Sequence, residues 1–162
     1  MPRTGGGGIK KIKPEPYHQR IRDLLEEVGL KGFESKFPRE LSGGMQQRAS
    51  IVRCLSYDPE VILMDEPFGA LDAFTRDDMN LLIQKMWMET GKTIVFITHN
   101  VTEAIFLSDR VVVLSPRPGT VAHIFDIDLP RPRTIEQTYT PEFIEKVLEI
   151  KATILHGSPS TV

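Results

Sequence analysis

Two adjacent carboxylates end a short apolar run in the middle of the chain, where Asp65 and Glu66 follow residues 61–64. Parallel α/β sheets place their chemistry at the carboxyl ends of the strands. One carboxylate there can hold Mg²⁺, usually through water, and the next can orient or deprotonate an attacking water. An acidic turn before Pro67 is an equally good interpretation of this motif by itself.

A histidine ends the next apolar, β-branched segment, because Thr98 and His99 follow residues 93–97. At that position an imidazole could donate a hydrogen bond to a terminal phosphate. A single histidine is more often a packed or solvated residue. Its place at the carboxyl end of the neighbouring strand favours the functional interpretation.

The third candidate is the stretch LSGGMQQR at residues 41–48. Ser42 stands where a helix N-cap belongs, and Gly43 and Gly44 would each cost roughly 1 kcal/mol inside a helix. At a helix start the two glycines leave backbone N–H groups bare, so an anion can approach closely and the helix dipole favours it. An ordinary N-cap would not need both glycines.

The spacing of apolar residues predicts the elements that position these groups. Helices are predicted over residues 17–29, 43–56 and 72–90, after Asn100 with Glu103 as its capping-box partner, and from Thr140 onward. Strands are predicted over residues 61–64, 93–97, 111–114 and 120–125. Because residues 61–64 lack alternation, we expect that strand to be buried on both faces. Strands that alternate with helices indicate an α/β domain with a mainly parallel sheet.

The composition narrows the class of protein. The chain has 162 residues, of which 40% are hydrophobic and 26% charged, and its net charge is −2. These values predict one soluble globular domain and argue against nucleic-acid binding through bulk positive charge. The single Cys54 and the four scattered histidines offer no metal cluster. With no signal peptide and no apolar run near the ~18 residues of a membrane span, we expect a cytosolic protein.

Two further stretches are predicted to have no chemical role. Residues 1–16 contain a run of glycines, lysines and prolines and are expected to form a flexible basic lead-in. The arginines of the proline-rich loops, Arg117, Arg131 and Arg133, are expected to be solvated, because the chain has no net positive charge.

Four stretches in this order resemble the ATP-binding-cassette (ABC) ATPases. They are LSGGMQQR at 41–48, VILMDEP at 61–67, FGALD at 68–72 and ITHNVTEA at 97–104. In that family these are the signature motif, the Walker B strand, the D-loop and the switch histidine. The text EPFGALDAFTR and the later VVVLSPRPGTV and DIDLPRPR resemble the importer branch, near its nitrate, sulfonate and taurine transporters. The resemblance covers about residue 17 to the end of the chain.

The resemblance implies the C-terminal part of an ABC-type P-loop NTPase, with a mostly parallel sheet, flanking helices and the end of the helical subdomain. It divides the chain into the lead-in at 1–16, the end of the helical subdomain with the signature helix at 17–56, half of the catalytic core at 57–126, and a C-terminal loop and helix at 127–162. It implies an importer subunit that uses ATP and Mg²⁺, lies on the inner face of the cell membrane, and works with a second ATPase subunit, a transmembrane permease and, indirectly, a substrate-binding protein.

The resemblance also implies a role for each matching residue. Glu66 would polarise the attacking water, His99 would contact the γ-phosphate, and Asp65 would support Mg²⁺. The remaining residues would act at a nucleotide shared between two subunits: Ser42, Gly43, Gly44 and Gln46 would contact ATP held by the opposite subunit, and Asp72 would order the dimer interface.

The phosphate loop of the family, GxxxxGKS or GxxxxGKT, is not found in this sequence. Gly91-Lys92-Thr93 is the single GKT, but Met86 stands where the first glycine should be, so this segment is predicted to be a turn. Two alternatives to a catalytic importer subunit therefore remain open. The chain could be a non-catalytic fragment that complements a partner with a phosphate loop in trans, or a decayed inactive product.

We expect the isolated 162-residue chain to bind Mg-ATP at millimolar strength or weaker. Hydrogen bonds to charged groups contribute about 1.5–3 kcal/mol each, so the loss of three phosphate-loop contacts removes roughly 5–9 kcal/mol. Each 1.4 kcal/mol changes the affinity about tenfold. Isothermal titration calorimetry measures the affinity directly, and micromolar binding would contradict the expectation.

Overall fold

The computed structural model describes residues 14–69 and 71–156. Most of the lead-in predicted at 1–16 lies outside them, although the first helix already begins at residue 14. The helices are α1 Pro14–Glu27, α2 Gly43–Ser56, α3 Ala73–Thr90, α4 Val101–Leu107 and α5 Pro141–His156. The strands are β1 Val61–Asp65, β2 Thr93–Ile97, β3 Arg110–Leu114 and β4 Val121–Asp126, and short 3₁₀ helices span Pro38–Glu40 and Glu136–Tyr139.

The chain forms two compact units, residues 1–58 and residues 59–162. In the first unit α1 packs on α2 through buried apolar side chains that include Val28, Ile51 and Leu55. After α1 the backbone reverses at Gly29, whose φ of 71° is the left-handed conformation that glycine adopts readily. Arg20 on α1 also forms an ion pair with Asp58 at 2.9 Å.

The second unit contains two separate strand pairs. β1 and β2 are parallel, in register from Val61 opposite Thr93 to Asp65 opposite Ile97. β3 and β4 are antiparallel and form their own two-stranded sheet. The predicted α/β class and the parallel pairing of the two site-bearing strands are confirmed. The fourth predicted strand instead pairs antiparallel with the third.

The prediction that the first strand is buried on both faces is wrong. Ile62 and Met64 are buried, but Val61 and Leu63 are 51% and 74% exposed, and Val95 on β2 is also exposed on this unit. An unbroken apolar run indicates that a strand is able to bury both faces. Within the described residues only one face of the β1–β2 sheet is covered.

One hydrophobic core of the second unit lies between α4, α5 and the β3–β4 sheet. Its buried side chains come from α4, from both strands and, seven residues apart, from one side of α5. They are Ile105, Phe106, Val113, Phe125, Ile127, Phe143 and Ile150. This core fixes α4 directly after the strand end that bears His99.

The prediction of solvated loop arginines is wrong for Arg133, whose side chain is 1% exposed. Its guanidinium donates hydrogen bonds to backbone carbonyl oxygens of the end of α4 and of the loop after β4, namely Ile105, Phe106, Ser108, Ile127 and Leu129. Burial lowers the pKa of Arg133 to about 10, so the side chain remains a cation at neutral pH. A buried cation of this kind is tolerated because every donor direction meets an acceptor.

Arg131 is also not solvated. Its guanidinium lies over the ring of Trp87, 4.2 Å from the centroid, and donates to a carboxylate oxygen of Asp109 at 2.9 Å and to the carbonyl oxygen of Leu107 at 2.6 Å. Arg117 is exposed, as expected. For Arg131 and Arg133, neighbouring prolines therefore did not indicate exposure, because both guanidinium groups donate hydrogen bonds to backbone carbonyl oxygens near the end of α4.

We expect Arg133→Met to lower the free energy of unfolding of the second unit by about 3–5 kcal/mol, since it leaves a set of buried carbonyl groups without donors. Urea unfolding followed by circular dichroism measures the loss. Arg117→Met is the matched control at an exposed position and should change stability by less than about 0.5 kcal/mol. Equal stability of the two variants would show that the buried network contributes little.

Candidate functional site

The chain turns sharply where β1 ends, and this turn presents Glu66. The N–H of Glu66 donates to the carbonyl oxygen of Ile97 at 2.8 Å, which extends the parallel ladder by one residue. Glu66 has a φ of 43°, in the left-handed region that a non-glycine residue adopts at a cost of about 1–3 kcal/mol. The carbonyl oxygen of Glu66 then accepts from the N–H of Gly69 at 3.3 Å, so the turn is held on both sides.

The structure brings two predicted catalytic side chains together at the ends of β1 and β2. Oε1 of Glu66 lies 3.5 Å from Nδ1 of His99, and the two side chains are 55% and 73% exposed. They line a shallow pocket with Phe68, Gly69, Arg76, Thr98, Asn100 and Glu103. A carboxylate and an imidazole that share an open pocket can act on a water and a phosphate presented there.

Asp65 lies on the opposite face of β1 from Ile62 and Met64, since successive strand residues alternate. Its carboxylate is exposed, and the described residues hold no group of three or more His, Cys, Asp or Glu that could bind a metal ion. Protein sites for Mg²⁺ commonly use one or two carboxylates together with substrate phosphates. The single Asp65 carboxylate therefore fits Mg²⁺ that arrives with a nucleotide.

Asp72 caps helix α3. One carboxylate oxygen accepts from the N–H of Thr75 at 3.0 Å and the other from its hydroxyl at 2.7 Å. These hydrogen bonds lower the pKa of Asp72 below its ordinary value. The carboxylate thus stays anionic and fixes where the loop of residues 68–72 ends.

The predicted signature residues lie in the first unit. Oγ of Ser42 accepts from the N–H of Met45 at 3.3 Å, which confirms the N-cap, and Gly43 begins α2 with open space where a side chain would stand. Gly44 follows in the first turn. The side-chain amide of Gln46 donates to the carbonyl oxygens of Pro38 and Leu41, both at 3.0 Å, so it closes the loop that leads into the helix.

Glu103 is a pocket residue that the sequence reasoning assigned only to helix capping. Half of the capping box is present, because Oδ1 of Asn100 accepts from the N–H of Glu103 at 3.3 Å. The N–H of Asn100 donates instead to the hydroxyl of Thr98 at 3.0 Å, which leaves the Glu103 carboxylate buried in the pocket wall. Burial raises its pKa, opposed by a hydrogen bond from Thr98 and the charges of Arg76 and His99.

The comparison with known proteins agrees with this arrangement. A sequence model described as ABC transporter matches residues 8–69. The taurine import ATP-binding protein TauB of Jannaschia sp. is 53% identical over 116 residues, which are 72% of this chain and 43% of that protein. The aliphatic sulfonates import ATP-binding protein SsuB of Bacillus cereus is 41% identical over 138 residues, 85% of this chain and 55% of that protein.

A solved structure shows the same fold. The dimeric structure of MJ0796, a bacterial ABC transporter cassette, is 33% identical with a TM-score of 0.61, over 74% of this chain and 50% of that one. The chain belongs to the ABC transporter family of ATP-binding proteins. The resemblance and the fold class predicted from the sequence are confirmed. This ABC chain spans about half the length of the curated relatives it matches, and none of its described helices is long and apolar enough to cross a membrane.

We expect Glu103 to make stability depend on pH in a direction opposite to that of most carboxylates. Since the pKa of Glu103 in the folded protein lies above the ordinary value of 4.5, the native state keeps this proton to a higher pH than the unfolded state does. Stability relative to Glu103→Gln should therefore fall as pH rises from 4.5 through the folded pKa. Urea unfolding of both proteins between about pH 4 and 7 tests the sign. A difference that grows with pH would mean that the native contacts favour the charged form.

Proposed function

We propose that this chain is part of the ATPase subunit of an ABC importer and couples ATP hydrolysis to uptake of a small anion such as nitrate, a sulfonate or taurine. The observation that carries the proposal is the approach of Glu66 and His99 at the carboxyl ends of two paired parallel strands. The matched relatives are named as import proteins for taurine and for aliphatic sulfonates, and these names support the proposed substrate class.

In the proposed reaction the chain positions groups around the terminal phosphate. The Glu66 carboxylate accepts a hydrogen bond from the attacking water and orients it, as such groups do in phosphoryl transfer. His99 donates to the γ-phosphate from the neighbouring strand end, and Asp65 supports Mg²⁺ that accompanies ATP. Bound Mg²⁺ offsets negative charge on the phosphates. The exposed positions of Glu66 and His99 leave both side chains accessible to a substrate from solvent.

The signature residues of the first unit act on a second nucleotide in this proposal. Ser42, Gly43 and Gly44 offer a hydroxyl and bare N–H groups at the start of α2, where the helix dipole favours a phosphate. The open space beside Gly43 supports a close approach. Gln46 belongs to the same contact surface, and Asp72 orders the interface between two subunits.

The proposed setting follows from the same family. The chain works as a dimer of ATPase subunits on the cytoplasmic side of the membrane, docked on a transmembrane permease that receives its cargo from a substrate-binding protein. Nucleic acid is not a partner, in agreement with the net charge of −2. The proposed boundaries are 17–56 for the end of the helical subdomain, 57–126 for the catalytic half and 127–162 for the C-terminal loop and helix, after a lead-in at 1–16.

Complementation with the missing motif tests the proposal. The chain is co-purified with a segment of an ABC ATPase that contains a GxxxxGKS or GxxxxGKT phosphate loop, and ATP turnover is measured. We expect turnover that requires both pieces and falls at least about a hundredfold in Glu66→Gln, because an orienting carboxylate typically contributes 10²–10⁴-fold. Glu89→Gln, at an exposed position on α3, is the matched control and should leave turnover unchanged.

The other outcomes separate the alternatives. A stable complex whose slow turnover is unaffected by Glu66→Gln would identify the chain as a non-catalytic complement. Failure to form any complex, with both pieces folded, would favour a decayed product.

A further inference from the structure

A polar link inside the second unit connects the loop residues 71–72, just before α3, to the end of β2. It begins at Arg76, in the first turn of α3, whose Nη2 donates to the carbonyl oxygen of Leu71 at 2.9 Å. The guanidinium therefore folds back onto the loop instead of extending into solvent, and its side chain is only 30% exposed. Any displacement of Leu71 moves the acceptor to which Arg76 is bound.

Glu103 forms the other end of the link. Its side chain is 4% exposed, and its backbone N–H donates to Oδ1 of Asn100 at 3.3 Å. The N–H of Asn100 in turn donates to the hydroxyl of Thr98, the residue that precedes His99, at 3.0 Å. Glu103 is thus joined through Asn100 to the backbone turn that carries the imidazole.

The two ends meet as an ion pair, with Nε of Arg76 3.9 Å from Oε1 of Glu103. A buried carboxylate is costly unless it is paired, and Arg76 is the nearby guanidinium that supplies the opposite charge. Their attraction varies inversely with this separation, so a movement of the loop that carries Arg76 with it changes the energy of the pair. His99 and, through it, Glu66 are the other titratable groups that face this carboxylate.

We propose that Arg76 and Glu103 are positioning residues that transmit the position of the loop residues 71–72 to His99. The link runs from the Leu71 carbonyl through the guanidinium to Glu103, and from Glu103 through Asn100 and Thr98 to His99. Its meaning for catalysis rests on the proposed function, since it would make the histidine respond to whatever contacts the loop. The physical coupling itself requires no nucleotide.

Amide hydrogen exchange on the 162-residue chain tests the coupling without ATP. Arg76→Met should speed exchange about fivefold at residues 97–103 as well as at the loop, and Glu103→Gln should do the same at the loop as well as at its own helix, as contacting residues do when their interaction is lost. The double variant should exchange no faster than the faster single variant. Lys85→Met is the matched control on α3, since Lys85 has an exposed pair with Glu89, and it should change neither segment.

A rescue variant and a folding control complete the exchange experiment. Arg76→Lys, which keeps a cation near Glu103, should restore most of the wild-type exchange at 97–103. Slow exchange at Phe106 and Val113 reports an intact core. If the Arg76→Met variant exchanges fast there, its core is disturbed, and the exchange of the isosteric Glu103→Gln variant is used to test the link. Effects confined to the segment that carries each substitution, or additive effects in the double variant, would overturn the link. Coupling without ATP turnover in the complemented protein would leave the link standing and reject the proposed function, and turnover without coupling would do the reverse.

Discussion

The guanidinium of Arg133 meets the carbonyl end of α4 and the loop after β4 inside the second unit. Among the described residues its hydrogen bonds go to backbone carbonyl oxygens, which at the end of a helix have no partner within the helix and carry partial negative charge. The side-chain amide of Gln84 adds a reciprocal pair with the backbone of Arg133, at 2.7 and 2.8 Å, and so joins α3 to the same point. The guanidinium and the backbone of Arg133 thus together hold α3, α4 and the loop after β4.

This constraint determines how the strand ends can be used. With its C-terminal end held by Arg133, α4 is fixed along its short length, and its first turn places Glu103 against Thr98. His99 then lies on a turn that is joined to the start of α4 through Asn100 and to the end of β1 through the hydrogen bond between Glu66 and Ile97. The candidate site is therefore held at its base by these contacts, while Glu66 and His99 reach solvent.

The sequence predicted the features that depend on local pattern. The Ser42 cap and the end of α3 at Thr90, followed by Gly91, depend on neighbouring residues, and the parallel β1–β2 pair follows from the alternation of strands and helices along the chain. The burial of Glu103 and Arg133 could not be predicted in this way. A capping box has the same spacing whether its carboxylate turns back to the backbone or faces a distant arginine, and an arginine among prolines has the same local sequence whether it is solvated or bound to a helix end. The exposed face of β1 likewise depends on which segments are present to cover it.

The backbone conformation at residue 66 affects which substitutions a laboratory selection would favour at this position. Its left-handed conformation suits glycine and asparagine better than glutamate. In a library randomised at this position, selection for heat resistance would enrich glycine and asparagine, and selection for the proposed ATPase activity would enrich the carboxylate. The turn that presents Glu66 is therefore a point where thermal tolerance and reactivity compete for one side chain.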